Sequence, residues 1–196
     1  MNSKTELARG DIMAMADYAK VRKAKQQEIV TIKKVRRILV GPYATCHFES
    51  YETMWRQIHE MLYIEKGGEE QIGDELAAYN PLIPKGRELI VTVMFEIDDP
   101  DLRAQFLAGL GGVEETMTLE FDGETVAGVP EADVDRTTAD GKASAVQFIH
   151  FPFTDDQVEK FRSPGARAVI GFGHPAYAHM AVLPEETRRS LAGDFT

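Results

Sequence analysis

The sequence predicts an α+β fold. An antiparallel sheet of ferredoxin-like (βαβ)2 plan fills the C-terminal two thirds, with an N-terminal helix, a β-hairpin and further helices packed on it. Three observations carry that expectation. Residues 88–173 hold two similar strand–helix–strand runs, each with an aromatic strand end feeding an acid-capped helix (F-E-I-D-D and F-P-F-T-D-D). Ahead of them, Arg36 to Glu65 reads as strand, Gly-Pro turn, strand and helix. With 43% hydrophobic residues in a chain of 196, a core forms without disulfide or metal staples. The expected organisation is one domain, 1–196, in which 1–86 holds a basic N-terminal helix, a hairpin and two helices, and 87–196 is the duplicated part.

Taken in order, Asp11 is placed to cap a first helix from Ile12 to about Gln26, with Ile12, Met15, Ala16 and Ala19 inward. Glu28 to Val40 is rich in β-branched residues and reads as one or two strands bent at Lys33-Lys34; a helix over Glu28 to Lys34 is the open alternative. In the hairpin, strand alternation puts Thr45, His47 and Glu49 on one face, Cys46 and Phe48 on the other. Ser50 caps a helix whose Tyr51, Met54, Trp55, Ile58, Met61 and Leu62 share a core-facing arc, leaving Arg56, His59 and Tyr63 opposite. It stops at Gly67-Gly68, and a short helix from Glu69 to Tyr79 turns Ile72, Leu76 and Tyr79 inward before Pro81 ends it.

In the duplicated part, strands Leu89 to Ile97, Glu115 to Phe121, Val146 to Phe153 and Arg167 to Phe172 alternate with helices Asp99 to Leu107 and Asp155 to Phe161. Leu89, Val91, Val93, Phe95 and Ile97 form a face expected to lie under helices. Ile90, Thr92, Met94 and Glu96, with Val146, Phe148 and His150, form a second face too apolar for water; the N-terminal elements or another subunit must cover it. Asp122-Gly123 is a hairpin turn, Val129 to Ala143 a polar loop, and a Pro184-initiated helix closes the chain.

The string L-V-G-P…T-x-H-F-E…T-M-x-x-Q-I-x-E-M-L-x-x-E resembles an uncharacterised bacterial family, domain-of-unknown-function family 3501 (DUF3501). The likeness continues through Glu75-Leu76, Tyr79 to Pro84, Gly86 and His174 to Tyr177, so it covers nearly the whole chain. It departs at Cys46-His47, where two aliphatic residues are expected, so a role for His47 would not be general to the family. The resemblance implies no activity. It implies a setting, in which such proteins are encoded beside a rubrerythrin-like di-iron protein and an iron–sulfur oxidoreductase.

Charge is divided unevenly. Residues 1–40 carry ten Lys/Arg and four Asp/Glu, net +6; the other 156 carry twelve and twenty-eight, net −16, for −10 in all. A basic N-terminal segment on an acidic body points to docking onto that body, or to an acidic partner. Clusters Lys20 to Lys25 and Lys33 to Arg37 raise nucleic acid as a rival, but no stacking aromatics lie between them and no recognition motif follows. The expected partner is therefore a protein or a second copy of this chain, not nucleic acid. No run approaches the ~18 apolar residues of a membrane span, and the N-terminus lacks a signal-like apolar stretch, so the expectation is a cytoplasmic protein with no membrane partner. The lone Cys46 excludes an internal disulfide and a Cys-only zinc or iron–sulfur site within one chain.

Motifs for nucleotide loops, zincins and nucleophile elbows are absent, and Gly109 to Gly112 follows a helix, as a C-cap and turn do. What remains is a set of single residues. Glu60, Glu65 and Glu96 are candidates for acid–base chemistry, with Arg136 to hold an anion. His174 and His179, joined by His150 and a carboxylate, are candidate ligands for iron, zinc or manganese. The reading favoured by these features is an accessory or binding protein of a redox or iron-protein system. Its alternative is a small metal-dependent enzyme centred on His174.

Overall fold

The computed structural model describes residues 4–131, 137–138 and 141–196. A 3-10 turn at Arg9–Asp11 leads to helix α1 (Met15–Val35), which continues straight through the β-branched stretch. Of the two readings of Glu28 to Lys34, helix is therefore the one adopted. Each β-branched residue costs a helix only about 0.5 kcal/mol, and burial of Tyr18 and Ile29 beneath α1 outweighs that. Asp11 does not cap α1; its carboxylate takes Lys4 Nζ at 2.8 Å and the Ala8 amide at 2.9 Å one turn earlier.

Strands β1 (Arg37–Val40) and β2 (Ala44–Phe48) form the expected hairpin, turned by Gly41 at φ +69°. Helix α2 (Tyr51–Glu65) starts at a reciprocal cap, Ser50 N donating to Thr53 Oγ1 at 2.8 Å and Thr53 N to Ser50 Oγ at 3.4 Å. Helix α3 (Gly68–Tyr79) and a 3-10 turn at Asn80–Leu82 then deliver the chain to β3 (Glu88–Phe95). The remainder runs α4 (Pro100–Ala108), β4 (Met117–Phe121), β5 (Glu124–Ala127), β6 (Val129–Pro130), β7 (Val146–Pro152), α5 (Asp155–Arg162), β8 (Ala168–His174), β9 (Tyr177–Val182) and α6 (Glu185–Ala192).

The fold is α+β with antiparallel pairing, and β3 lies centrally beside β7, with Val91 opposite Ile149. The strands of the two βαβ runs nevertheless divide between two sheets, β1-β2-β3-β7-β6 and β5-β4-β8-β9, where a ferredoxin-like plan would keep them in one. The reason is occupancy. The places beside β3 and β7 that β8 and β4 would take are filled by β2 and β6. β4 and β8 pair with each other instead, each extended by its own hairpin partner. The β4–β5 turn is Asp122-Gly123, with φ +46° and +78°. The β9 hairpin is an element that the sequence reading ended short of.

This second sheet corrects what covers the Leu89, Val91, Val93 and Phe95 face. Those residues pack mainly on Leu119, Phe121, Ile170 and Phe172 of the second sheet; α4, α5 and α6 add Leu107, Phe161 and Leu191 at the margins. The opposite face of the first sheet carries a separate core, where Ile90 and Phe148 meet Met54, Ile58, Leu62 and Ile72 of α2 and α3. The N-terminal elements thus cover the second apolar face in part, and Met94 remains 36% exposed. Among the described residues no helix is long and apolar enough to cross a membrane.

Candidate functional site

The period of a strand fixes what lines the helix-side face of the first sheet. β2 sends Thr45 and His47 outward, and Glu49 follows them just past the strand. β3 sends Thr92 and Met94, and β7 sends Val146 and Phe148. The pairing sets His47 opposite Thr92 and Met94 opposite Val146. α2 and α3 roof the Ile90 end of this face. Toward Met94 the roof stops and a cleft opens.

The cleft has two compartments that meet at Lys33 and His47. The inner one, of about 280 Å³, has Met94, Val146 and Phe148 among its lining, with Glu49, Gln57 and Thr92 as polar groups. The outer one, of about 370 Å³, lies along α1 and is bordered by Val30, Lys33, Lys34, Arg37 and Arg56. Glu49 is buried, and each of its oxygens accepts a hydroxyl: Oε2 from Thr53 at 2.6 Å and Oε1 from Thr92 at 2.7 Å. Burial lowers the His47 pKa below its ordinary value, so the ring is neutral at pH 7, and it forms no hydrogen bond to the described residues. Lys33, Lys34 and Arg37 likewise have no ion pair among the described residues. Most of the other cations of residues 1–40 are matched: Arg22 to Glu60, Lys20 to Asp17, Lys25 to Glu28, Lys4 to Asp11. Arg22, together with Arg9 paired to Glu69, ties the basic segment to the rest of the chain, whereas the other three pairs close within residues 1–40. Arg36 belongs with these rather than with its sequence neighbours, since its buried guanidinium holds Asp194, the Glu49 carbonyl at 2.8 Å and the Phe48 carbonyl at 3.0 Å.

The residues singled out by sequence fall in separate places. Glu60 is buried between α2 and α1, where Arg22 binds both its oxygens (2.9 and 2.7 Å) and Tyr18 donates to it at 2.6 Å. The Arg22 guanidinium, with Tyr18 and Arg56, holds its carboxyl down at about 2. His59, opposite the apolar arc of α2, is fully buried nonetheless, accepting the Met13 amide at Nε2 (3.0 Å) while Nδ1 faces the Trp55 carbonyl at 2.6 Å. The wheel placed it opposite the apolar arc because the arc marks only the face toward α3 and the sheet, whereas α1 buries the other. Glu65 is exposed and takes Gln71 Nε2 at 2.6 Å. Glu96 is exposed and accepts the Thr45 hydroxyl. Arg136 lies outside the described residues.

The three imidazoles are not assembled. His150, in the first sheet, sits between Glu88 (2.9 Å to Nδ1) and Glu131 (3.4 Å to Nε2). The Glu88 hydrogen bond, helped by Glu131, raises its pKa. His174 and His179 belong to the β8–β9 hairpin of the second sheet, where His174 Nδ1 accepts the Ala176 amide at 3.2 Å. Among the described residues no group of three or more His, Cys, Asp or Glu side chains is placed to hold a metal ion. Tyr177 has a structural task, its hydroxyl donating to Val40 O (2.7 Å) and accepting the Tyr43 and Ala44 amides (3.0 and 2.9 Å). Cys46 is fully buried, and burial pushes its thiol up to about 12.

The sequence reading grouped His47 with Glu49 but did not make a site of them. The missing part was Lys33, which comes to the cleft only because α1 continues as helix past Gln26.

A family model described as a protein of unknown function (DUF3501) matches residues 6–195. Among solved structures, the chain is similar to the crystal structure of a novel protein of unknown function from Burkholderia pseudomallei K96243. The two are 36% identical with a TM-score of 0.90, over 97% of this chain and 99% of that one. A search among curated proteins found no match.

Proposed function

The chain belongs to the DUF3501 family, and from that premise we propose that it is an accessory binding protein, cytoplasmic, working beside a redox or iron-protein system. The observation supporting a binding role is the cleft, where three cations without ion pairs among the described residues border a recess with an apolar floor. Cations left unmatched on an acidic chain favour an acidic counterpart, and a partly enclosed setting strengthens their field. The candidate acid–base carboxylates support the same reading from the other side: Glu60 is held ionised by Arg22, and Glu65 and Glu96 are surface groups. The iron-protein setting rests on the family resemblance alone.

Capture experiments test the proposal. The immobilised chain should retain a rubrerythrin-like di-iron protein or an iron–sulfur oxidoreductase from the same organism at physiological ionic strength. Retention should weaken in the Lys34→Gln/Arg37→Gln variant. If neither protein is retained, the accessory reading fails.

A further inference from the structure

We propose that the two-compartment cleft binds a small amphipathic organic anion. Its charged group would lie among Lys33, Lys34 and Arg37, and its apolar body over Met94, Val146 and Phe148. The proposal rests on the binding reading above and gives that site its ligand class.

The two compartments differ in character. The outer one is bordered by Lys33, Lys34, Arg37 and Arg56, and among the described residues no carboxylate lines it. Arg56 is partly neutralised by Glu60, 3.5 Å away, while the other three have no such partner among the described residues. Like charges gathered within a turn of helix and the start of the next strand repel one another, and an anion seated among them relieves that repulsion. Among the described residues the inner compartment has one carboxylate, Glu49, whose oxygens already accept two hydroxyls. That group disfavours a second negative charge in the inner compartment, while Met94, Val146 and Phe148 favour an apolar one. An occupant with its charge outward and its apolar part inward satisfies both ends.

His47 stands where the compartments meet. Its ring is neutral at pH 7 and has no hydrogen bond to the described residues, so an N–H is available to an oxygen of the anion. The size also fits: at about 280 and 370 Å³ the compartments together match a small-molecule pocket rather than a docking groove for a polymer. A nucleic-acid backbone would engage only the cationic rim and leave the apolar recess empty.

Calorimetric titration of the full chain with sodium octanoate tests this, with 1-octanol and sodium acetate as the uncharged and bodiless controls. The expected result is one octanoate per chain with a Kd below about 1 mM, and each control weaker by about tenfold or more. The Lys33→Gln/Lys34→Gln/Arg37→Gln variant, with Lys34 and Arg37 exposed and Lys33 half-buried, should keep the wild-type circular dichroism spectrum and lose octanoate affinity by about tenfold. His47→Phe should weaken octanoate and leave octanol unchanged. Octanol binding as tightly as octanoate would reduce the cleft to a general apolar patch. Unchanged affinity in the triple variant would place the site elsewhere. Absence of octanoate binding, or binding of a single-stranded oligonucleotide that octanoate fails to displace, would overturn the proposal. Octanoate failure with partner capture intact would overturn the ligand alone, and the converse would overturn only the accessory role.

Discussion

Glu60 shows what a residue at the flank of an apolar arc can do when a second helix arrives. Its carboxylate is buried, yet Arg22 and Tyr18 occupy it, and the ion pair ties α1 to α2. Replacing it by Gln leaves Arg22 half-paired, and Glu60→Gln is expected to cost about 2 kcal/mol. The sign of its pH dependence follows from a carboxyl held at about 2 in the folded chain and near 4.5 when free. The contribution is complete above about pH 4.5 and is lost as pH falls toward 2. Urea midpoints of wild type and Glu60→Gln should therefore converge between pH 4.5 and 2; a constant gap would remove the assignment. His150 runs the other way. Glu88 and Glu131 raise its pKa above the ordinary 6.5, so its contribution is complete below 6.5 and is lost as pH rises through the folded value. Between pH 6 and 8 wild type should lose stability relative to His150→Gln, and parallel profiles would contradict the carboxylate pairing.

At the scale of elements, Tyr177 fastens β9 of the second sheet to the β1–β2 turn of the first. Tyr177→Phe keeps the ring packing but strands the Ala44 amide, and should lower unfolding free energy by about 2 kcal/mol in urea. A loss under about 0.5 kcal/mol would mean that the hydroxyl contacts contribute nothing net. The same elements show what sequence reveals. The hairpin around Gly41-Pro42, the Ser50 cap and the β3–β7 pair are local or strongly periodic, and they were legible. The C-terminal half of α1 was legible only as an alternative, because Ile29 to Ile32 favour strand locally and it is the burial of Tyr18 and Ile29 that decides for helix. The division into two sheets was not legible. Strand alternation shows which residues share a face but not which strand becomes the neighbour, and β2 and β6 settle that by taking the positions first.

At the scale of the whole molecule, the first sheet is a middle layer with an apolar face toward the second sheet and a mixed face toward the helices. The candidate cleft exists because the helical layer is incomplete over Met94 and Val146 while α1 brings cations to its border. Half of that site was legible, since His47 and Glu49 were placed on one face. The cationic half required the long α1. Because Lys33, Lys34 and Arg37 have no ion pair among the described residues and none of the three is buried, replacing all three by Gln should change the unfolding free energy by less than about 0.5 kcal/mol, as for substitutions away from buried networks. A large loss in urea unfolding would assign these cations to stability instead of binding.

The most direct measurement is a map of where a ligand sits: amide and methionine-methyl NMR shifts of the full chain during titration with octanoate. The account predicts saturable shifts concentrated at Lys33, His47, Thr92, Met94 and Val146, with the β8–β9 hairpin around His174 unmoved. Shifts centred on that hairpin, or spread evenly over the surface, would contradict it.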